Sequence, residues 1–135
     1  MRYSNQQRAY NQARLASELA RARAAAHERA FLASSGATDR RGRPARFLWQ
    51  IKNDAVFDAL EAEYQADPEA VKLQKADMAA RSALIKAERD LVSWALSIVP
   101  PGIRATLAPA AENDHATRKK IIDLAIHLDA ATLPQ

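Results

Sequence analysis

The sequence predicts an all-α fold: a single small helical domain over residues 1–135, with four to five helices, a long helix 1 and a long, heptad-patterned helix 3. Three observations predict it. The 135 residues include 31 Ala and 13 Leu but 3 Gly, a composition that favours helix over sheet. Breakers fall at wide intervals, at Ser34-Ser35-Gly36, Asp67-Pro68-Glu69 and Val99-Pro100-Pro101-Gly102, and leave helix-length runs between them. Within those runs apolar residues recur three and four apart, which gathers them on one side of a helix.

The first helix is expected from about residue 5 to 34. Ser4 and Gln7 fit a capping box, in which each side chain satisfies the other residue's backbone N–H, and Gly36 supplies the left-handed residue that ends a helix. Two faint seams run along it. Leu15, Leu19, Ala22, Ala26, Ala30 and Ala33 form one; Tyr10, Ala13, Ser17, Ala20, Ala24 and Phe31 form the other. Small residues on both sides suit a helix placed between two neighbours or against a second chain. Residues 1–10, rich in Gln, Asn and Arg, read as a fraying arm.

Residues 35–46 break the helical pattern. Two Gly, one Pro and four Arg make them an exposed loop. A second helix is expected from about 45 to 66, with Phe47, Leu48, Ile51, Ala55, Val56, Leu60 and Tyr64 as its apolar positions. Asn53-Asp54 also fits a capped restart, which leaves one helix or two shorter ones open.

Asp67-Pro68-Glu69 offers an N-cap, a Pro at the first helical position and an acid against the helix dipole, so the third helix starts there and runs to about Ile98. Its apolar pattern is a heptad: Leu73, Ala80, Ala87 and Trp94 alternate with Asp77, Leu84, Leu91 and Ile98. Leu73, Leu84, Leu91, Trp94 and Ile98 are the candidate interface residues, facing either helix 1 of the same chain or helix 3 of a second copy. Residues 102–112 read as a connector with one helical turn around Ile103, Leu107 and Pro109. The last helix is expected from Asn113-Asp114 to about Ala130, packing Ile121, Ile122, Ala125, Ile126 and Leu128.

Charge is unevenly placed. Residues 1–52 carry 11 Lys/Arg against 3 Asp/Glu, a basic part with net charge +8; residues 53–135 carry 9 against 13, an acidic helical part with net charge −4. A basic front half suits a polyanion or an acidic protein. Solvated arginines along a helix account for the same charges.

Several function classes are excluded. Without Cys there are no disulfides and no thiolate chemistry. None of Gly36, Gly42 and Gly102 is followed by Lys, so no phosphate-binding loop of the P-loop or Rossmann kind is present. No apolar run reaches the roughly 18 residues that span a bilayer. The polar start, Met1-Arg2-Tyr3-Ser4, does not read as a secretory signal, so a cytoplasmic location is expected.

One segment carries a motif. Arg40-Arg41-Gly42-Arg43-Pro44-Ala45-Arg46 resembles the AT-hook, a minor-groove DNA-binding element built on Arg-Gly-Arg-Pro; the matching core is Arg41-Gly42-Arg43-Pro44. The resemblance covers about seven residues and departs from the usual pattern at Arg40, where Pro is common, and at Ala45, where a basic residue often follows. It implies that Arg41 and Arg43 lie along a narrow A·T groove, with Gly42 letting the backbone approach and Pro44 keeping it extended, while Arg40 and Arg46 meet phosphates. Arg46-Phe47-Leu48-Trp49-Gln50-Ile51-Lys52 then interleaves basic and aromatic residues; Phe47 and Ile51 read as core, with Trp49 the odd member out and Lys52 a phosphate contact. Arg118, Lys119 and Lys120 form a second basic cluster at the start of the last helix and are candidates for further phosphate contacts.

Catalytic patterns are weak. His27-Glu28 lacks the second His of a metalloprotease helix, because Phe31 stands there. Asp123 and His127 share a helix face but have no third ligand nearby in sequence. No enzyme, metal or other cofactor is expected.

The sequence therefore reads as a non-enzymatic, nucleic-acid-associated accessory protein. Its expected partner is A·T-rich duplex DNA, held by the 40–46 loop as a minor-groove clamp with the basic first helix facing phosphates. Dimerisation would add avidity. By analogy alone, plasmids and phages encode small basic proteins of this kind. The alternative is a protein–protein adaptor or assembly subunit that uses the heptad helix 67–98 as its interface and meets an acidic partner.

Overall fold

The computed structural model describes residues 4–111 and 114–132. Five α-helices follow in order: α1 (Asn5–Ser35), α2 (Asp54–Gln65), α3 (Pro68–Ile98), α4 (Pro101–Ala111) and α5 (His115–Thr132), with a 3₁₀ turn at Leu48–Gln50 ahead of α2. Among the described residues there is no strand, and one isolated antiparallel bridge joins Thr38 to Pro44. The all-α expectation with long helices 1 and 3 holds. No described helix is long and apolar enough to cross a membrane.

Contacts gather into two compact units. One comprises residues 1–14 and 83–135, the other residues 15–82, so α1 and α3 contribute to both. The basic/acidic division at residue 52 coincides with neither boundary.

Local chemistry explains the helix ends. The Ser4 N–H donates to Gln7 Oε1 at 2.8 Å and the Gln7 N–H to Ser4 Oγ at 3.1 Å, the reciprocal pair of a capping box. Gln7 is 6% exposed, so residues 5–10 are ordered helix and not the expected arm. At the other end the Ser34 and Ser35 hydroxyls donate to the carbonyls of Phe31 and Leu32, and Gly36 turns the chain with φ +72°. Asp67 caps α3 by accepting the Glu69 N–H at 3.0 Å, and Pro68 occupies the first helical position, where no N–H is needed. Asp114 caps α5 through the Ala116 N–H at 3.1 Å; the cap expected at Asn113 lies outside the described residues.

One expectation changes, and one open choice is decided. The connector after α3 is an 11-residue helix, α4, and not a single turn. Pro101 starts it at no hydrogen-bond cost, whereas Pro109, inside the helix, gives up the bond to the Ala105 carbonyl. Arg104 reaches back from α4 to the Ser97 and Val99 carbonyls, which α3 leaves unpaired, at 3.3 and 3.4 Å. Of the two forms open for residues 45–66 the broken one is found: residues 51–53 are extended after the 3₁₀ turn, and α2 restarts where Asn53 Oδ1 accepts the Val56 N–H. That break resets the helical phase, so Phe57 packs inward while Ala55 and Val56 are exposed.

The unit of residues 15–82 is built on buried Leu32, Ala45 and Ile51, with Phe31, Leu48, Phe57 and Leu60 packed against them. In the unit formed by residues 1–14 and 83–135, the centre is Ala95 and Val99 of α3 with Ile121 and Ala125 of α5; Trp94, Ile98, Leu107 and Ile122 complete it. Every heptad position on α3 is buried or half-buried. Leu73, Leu84, Trp94 and Ile98 are half-buried, whereas Leu91 is 2% exposed and has no surface left to offer a second chain in this arrangement. On α1 the seam of Tyr10, Ala13, Ser17, Ala20, Ala24 and Phe31 is the inward one; the Leu15–Ala33 seam is exposed along its length.

Candidate nucleic-acid interface

The arginine-rich loop is a closed hairpin organised by one carboxylate. Asp39 Oδ1 accepts the N–H groups of Arg41 at 2.8 Å and Arg43 at 3.0 Å, while the Asp39 N–H donates to the Arg43 carbonyl at 2.7 Å. The Gly42 N–H closes the turn on the Asp39 carbonyl at 3.1 Å. Gly42 takes φ +78°, a left-handed conformation that glycine adopts without a Cβ penalty. Below the turn, the Ala45 N–H donates to the Ala37 carbonyl at 2.9 Å, and Ala45 is buried against Leu32 and Ile51. The hairpin tip is exposed, as expected of the loop, but its base is core. The extended course expected along Arg41-Gly42-Arg43-Pro44 is replaced by a turn, because Asp39 gives the backbone N–H groups a local partner.

Arg40, Arg41, Arg43 and Arg46 are all exposed on this hairpin, and Asp39 is the single acid between residues 36 and 52. That acid already spends one carboxylate oxygen on backbone N–H groups. Among the described residues none of the four guanidinium groups is in an ion pair. Arg29 joins them from α1: a groove of about 590 Å³ is lined by Arg29, Arg43 and Arg46 together with Asp39 and Gln50. Sequence reasoning missed Arg29, because its place depends on the hairpin folding back on α1, a long-range contact with no local signature. Lys52 is exposed and lines a separate, open hollow with Asp39 and Arg40.

The 3₁₀ turn beside the hairpin is pinned from both sides. Gln50 Oε1 accepts the Arg46 N–H at 2.8 Å and the Phe47 N–H at 3.3 Å, and Glu28 of α1 accepts the Leu48 N–H at 3.1 Å. Leu48 and Ile51 go into the core and Phe47 is half-buried, as the spacing predicts. Trp49 stays 67% exposed, its ring nearly parallel to that of Phe47 at 10° and 6.2 Å between centroids.

The second basic cluster lies in the other unit and is different in kind. Arg118 Nε is 2.9 Å from Glu88 Oε1, and His115 Nδ1 lies 3.7 Å from the same oxygen. The charge of Arg118 is thus answered within the unit, while Lys119 and Lys120 are exposed. These groups border a cavity of about 440 Å³ with an apolar wall of Leu91, Ile122 and Ile126.

One polar cluster had no sequence signal. His27 Nε2 lies 2.8 Å from Asp67 Oδ2, across 40 residues of chain, and Tyr64 packs against both His27 and Phe31. The hydrogen bond with His27, then that from the Glu69 N–H, holds the Asp67 carboxyl below its usual range. Burial, followed by the nearby charges of Glu28 and Asp67, pushes the Tyr64 hydroxyl up. The cluster ties α1 to the start of α3 within its unit. Among the described residues no three His, Asp or Glu side chains gather as a metal site. No family model, curated protein or solved structure matches this chain.

Proposed function

We propose that the chain is a non-enzymatic nucleic-acid-binding accessory protein that engages phosphates through the 38–46 hairpin. The observation that carries this reading is the group of four exposed, unpaired guanidinium ions on one rigid turn, with Arg29 beside them. Unpaired arginines held close together repel one another, and a polyanion relieves that repulsion while releasing its own counterions. The planar fork of Arg suits phosphate oxygens better than the point charge of Lys does.

Fluorescence anisotropy on A·T-rich and G·C-rich duplexes, at about 50 and 200 mM salt, tests the reading. The Arg41→Ala, Arg43→Ala double variant keeps the turn, because Asp39 holds backbone N–H groups that Ala retains. Its affinity is expected to fall on every duplex, and its salt dependence to flatten by roughly two phosphate contacts. A preference for A·T-rich duplex that vanishes in the variant would mean that the Asp39 turn opens and the extended groove mode is used. Wild-type protein that binds no nucleic acid at the lower salt would sink the proposal.

A second reading, assembly with an acidic protein segment, is favoured by α1 and no longer by α3. Leu15 and Leu19 are 59% and 52% exposed on a stripe that continues through Ala22, Ala26, Ala30 and Ala33. Arg23 and Arg29 border that stripe against one acid, Glu18, so an acidic amphipathic helix is its complement. Leu19→Asp should abolish such an assembly in sedimentation and leave nucleic-acid affinity within about twofold; an unchanged sedimentation profile would discard this reading.

A further inference from the structure

We infer that the hairpin face selects unpaired nucleic acid over duplex, with Trp49 as the platform on which a base stacks; this rests on the nucleic-acid reading above. Trp49 is held for such a contact. Gln50 and Glu28 fix three successive backbone N–H groups of its turn, those of Arg46, Phe47 and Leu48. Leu48 is anchored in the core on one side and Phe47 backs the indole on the other. The Phe47 ring lies nearly parallel to the indole with 6.2 Å between centroids, and two thirds of Trp49 is open. An indole kept this exposed by a turn with so many fixed contacts offers a flat, preorganised π surface, which costs little further ordering on binding.

Gln50, the residue after Trp49, lines the groove of Arg29, Arg43 and Arg46, so one residue of chain separates platform and groove. A strand whose phosphates run along three guanidinium groups can turn one base onto the indole. In a duplex the bases are already stacked on each other, and their faces are closed to a side chain. The folded hairpin argues in the same direction. Two chain segments side by side, with side chains, exceed the roughly 6 Å width of a minor groove.

The test measures anisotropy of labelled 12-nucleotide oligo-dT and oligo-U, an abasic oligomer of equal length and a 12-base-pair duplex, against wild type, Trp49→Ala and Trp49→Phe. Both single strands are expected to bind wild type more tightly than the duplex or the abasic strand does. Trp49→Ala should weaken single-strand binding roughly five- to hundredfold, the range one stacked base spans, and leave duplex binding and salt slope unchanged. Trp49→Phe should recover most of the loss. Trp49→Ala binding single strands within twofold of wild type, with salt-dependent binding intact, would overturn the platform and leave the arginine hairpin standing. Failure of wild type to bind any of the four probes would remove both. Because the indole is on the surface, an unchanged circular dichroism spectrum is expected for both variants.

Discussion

The two basic clusters, Arg40–Arg46 in one unit and Arg118–Lys120 in the other, are alike in composition and opposite in circumstance. Arg118 has Glu88 within 2.9 Å, with His115 on the same carboxylate. The hairpin arginines have one acid near them, and that acid is engaged by the backbone. Net charge gives the clusters similar weight, four cations against three; free charge does not. Whether a basic run can serve a polyanion depends on whether the fold brings a carboxylate to it, and long-range packing decides that.

The units also differ in what holds them. One has a continuous aliphatic centre at Ala95, Val99, Ile121 and Ala125; in the other, a small centre supports a hairpin fixed mainly by hydrogen bonds. The largest test of this contrast is core truncation. Ile121→Ala and Leu32→Ala each remove a fully buried side chain and should cost about 2–5 kcal/mol by urea denaturation. Leu32→Ala should also weaken nucleic-acid binding, because Leu32 packs under the hairpin base; Ile121→Ala should not, as long as the chain remains folded. Equal effects on binding would erase the distinction.

Next in size is Asp39→Ala. It removes the acceptor of two backbone N–H groups and should cost about 1–2 kcal/mol of stability. It also deletes a negative charge among four arginines, so binding at low salt should hold or tighten while the melting temperature falls. A smaller effect is expected of Arg118→Ala, whose charge Glu88 already answers: nucleic-acid affinity within about twofold of wild type, against a larger loss for Arg43→Ala in the same titration.

The smallest effect is on pH dependence. Asp67 and Asp114 both have carboxyls held below the ordinary value of 3.8, by His27 foremost in one case and by the Thr117 hydroxyl foremost in the other. A depressed carboxyl stabilises the fold above its ordinary pKa, and that contribution disappears as pH falls through the lowered value. Thermal melts should therefore weaken as acid is added below about pH 4. Asp67→Asn and Asp114→Asn should each flatten part of that slope; a slope unchanged in both would remove the linkage.

How much of this was legible in the sequence varies with range. Ser4/Gln7, Gly36, Asp67-Pro68 and Asp114 act on residues two to four away, and each does what its local chemistry implies. The α3 heptad was equally readable, because a strong period survives whatever it packs on. The two seams of α1 could not be ranked, since Ala dominates both and the choice lay with neighbours distant in sequence. Three features of the candidate site depended on such neighbours: Arg29 in the groove, Glu28 on the Leu48 N–H, and Glu88 on Arg118. The turn at Asp39 was within reach of local reasoning, as Asp at the first position and Gly at the fourth, here Asp39 and Gly42, is a turn signal. The Arg-Gly-Arg-Pro resemblance drew attention to an extended course instead.

The closed hairpin has a consequence for proteolysis. A trypsin-like protease must draw several residues around the scissile bond into an extended strand, and Arg40 and Arg41 cannot supply one while Asp39 and the Ala37–Ala45 pairing hold. The bond after Arg43 leads into Pro44 and resists such cleavage in any case. Nicking within this basic, exposed hairpin tip will thus be slow, and its rate will follow the fraction of molecules whose hairpin is open.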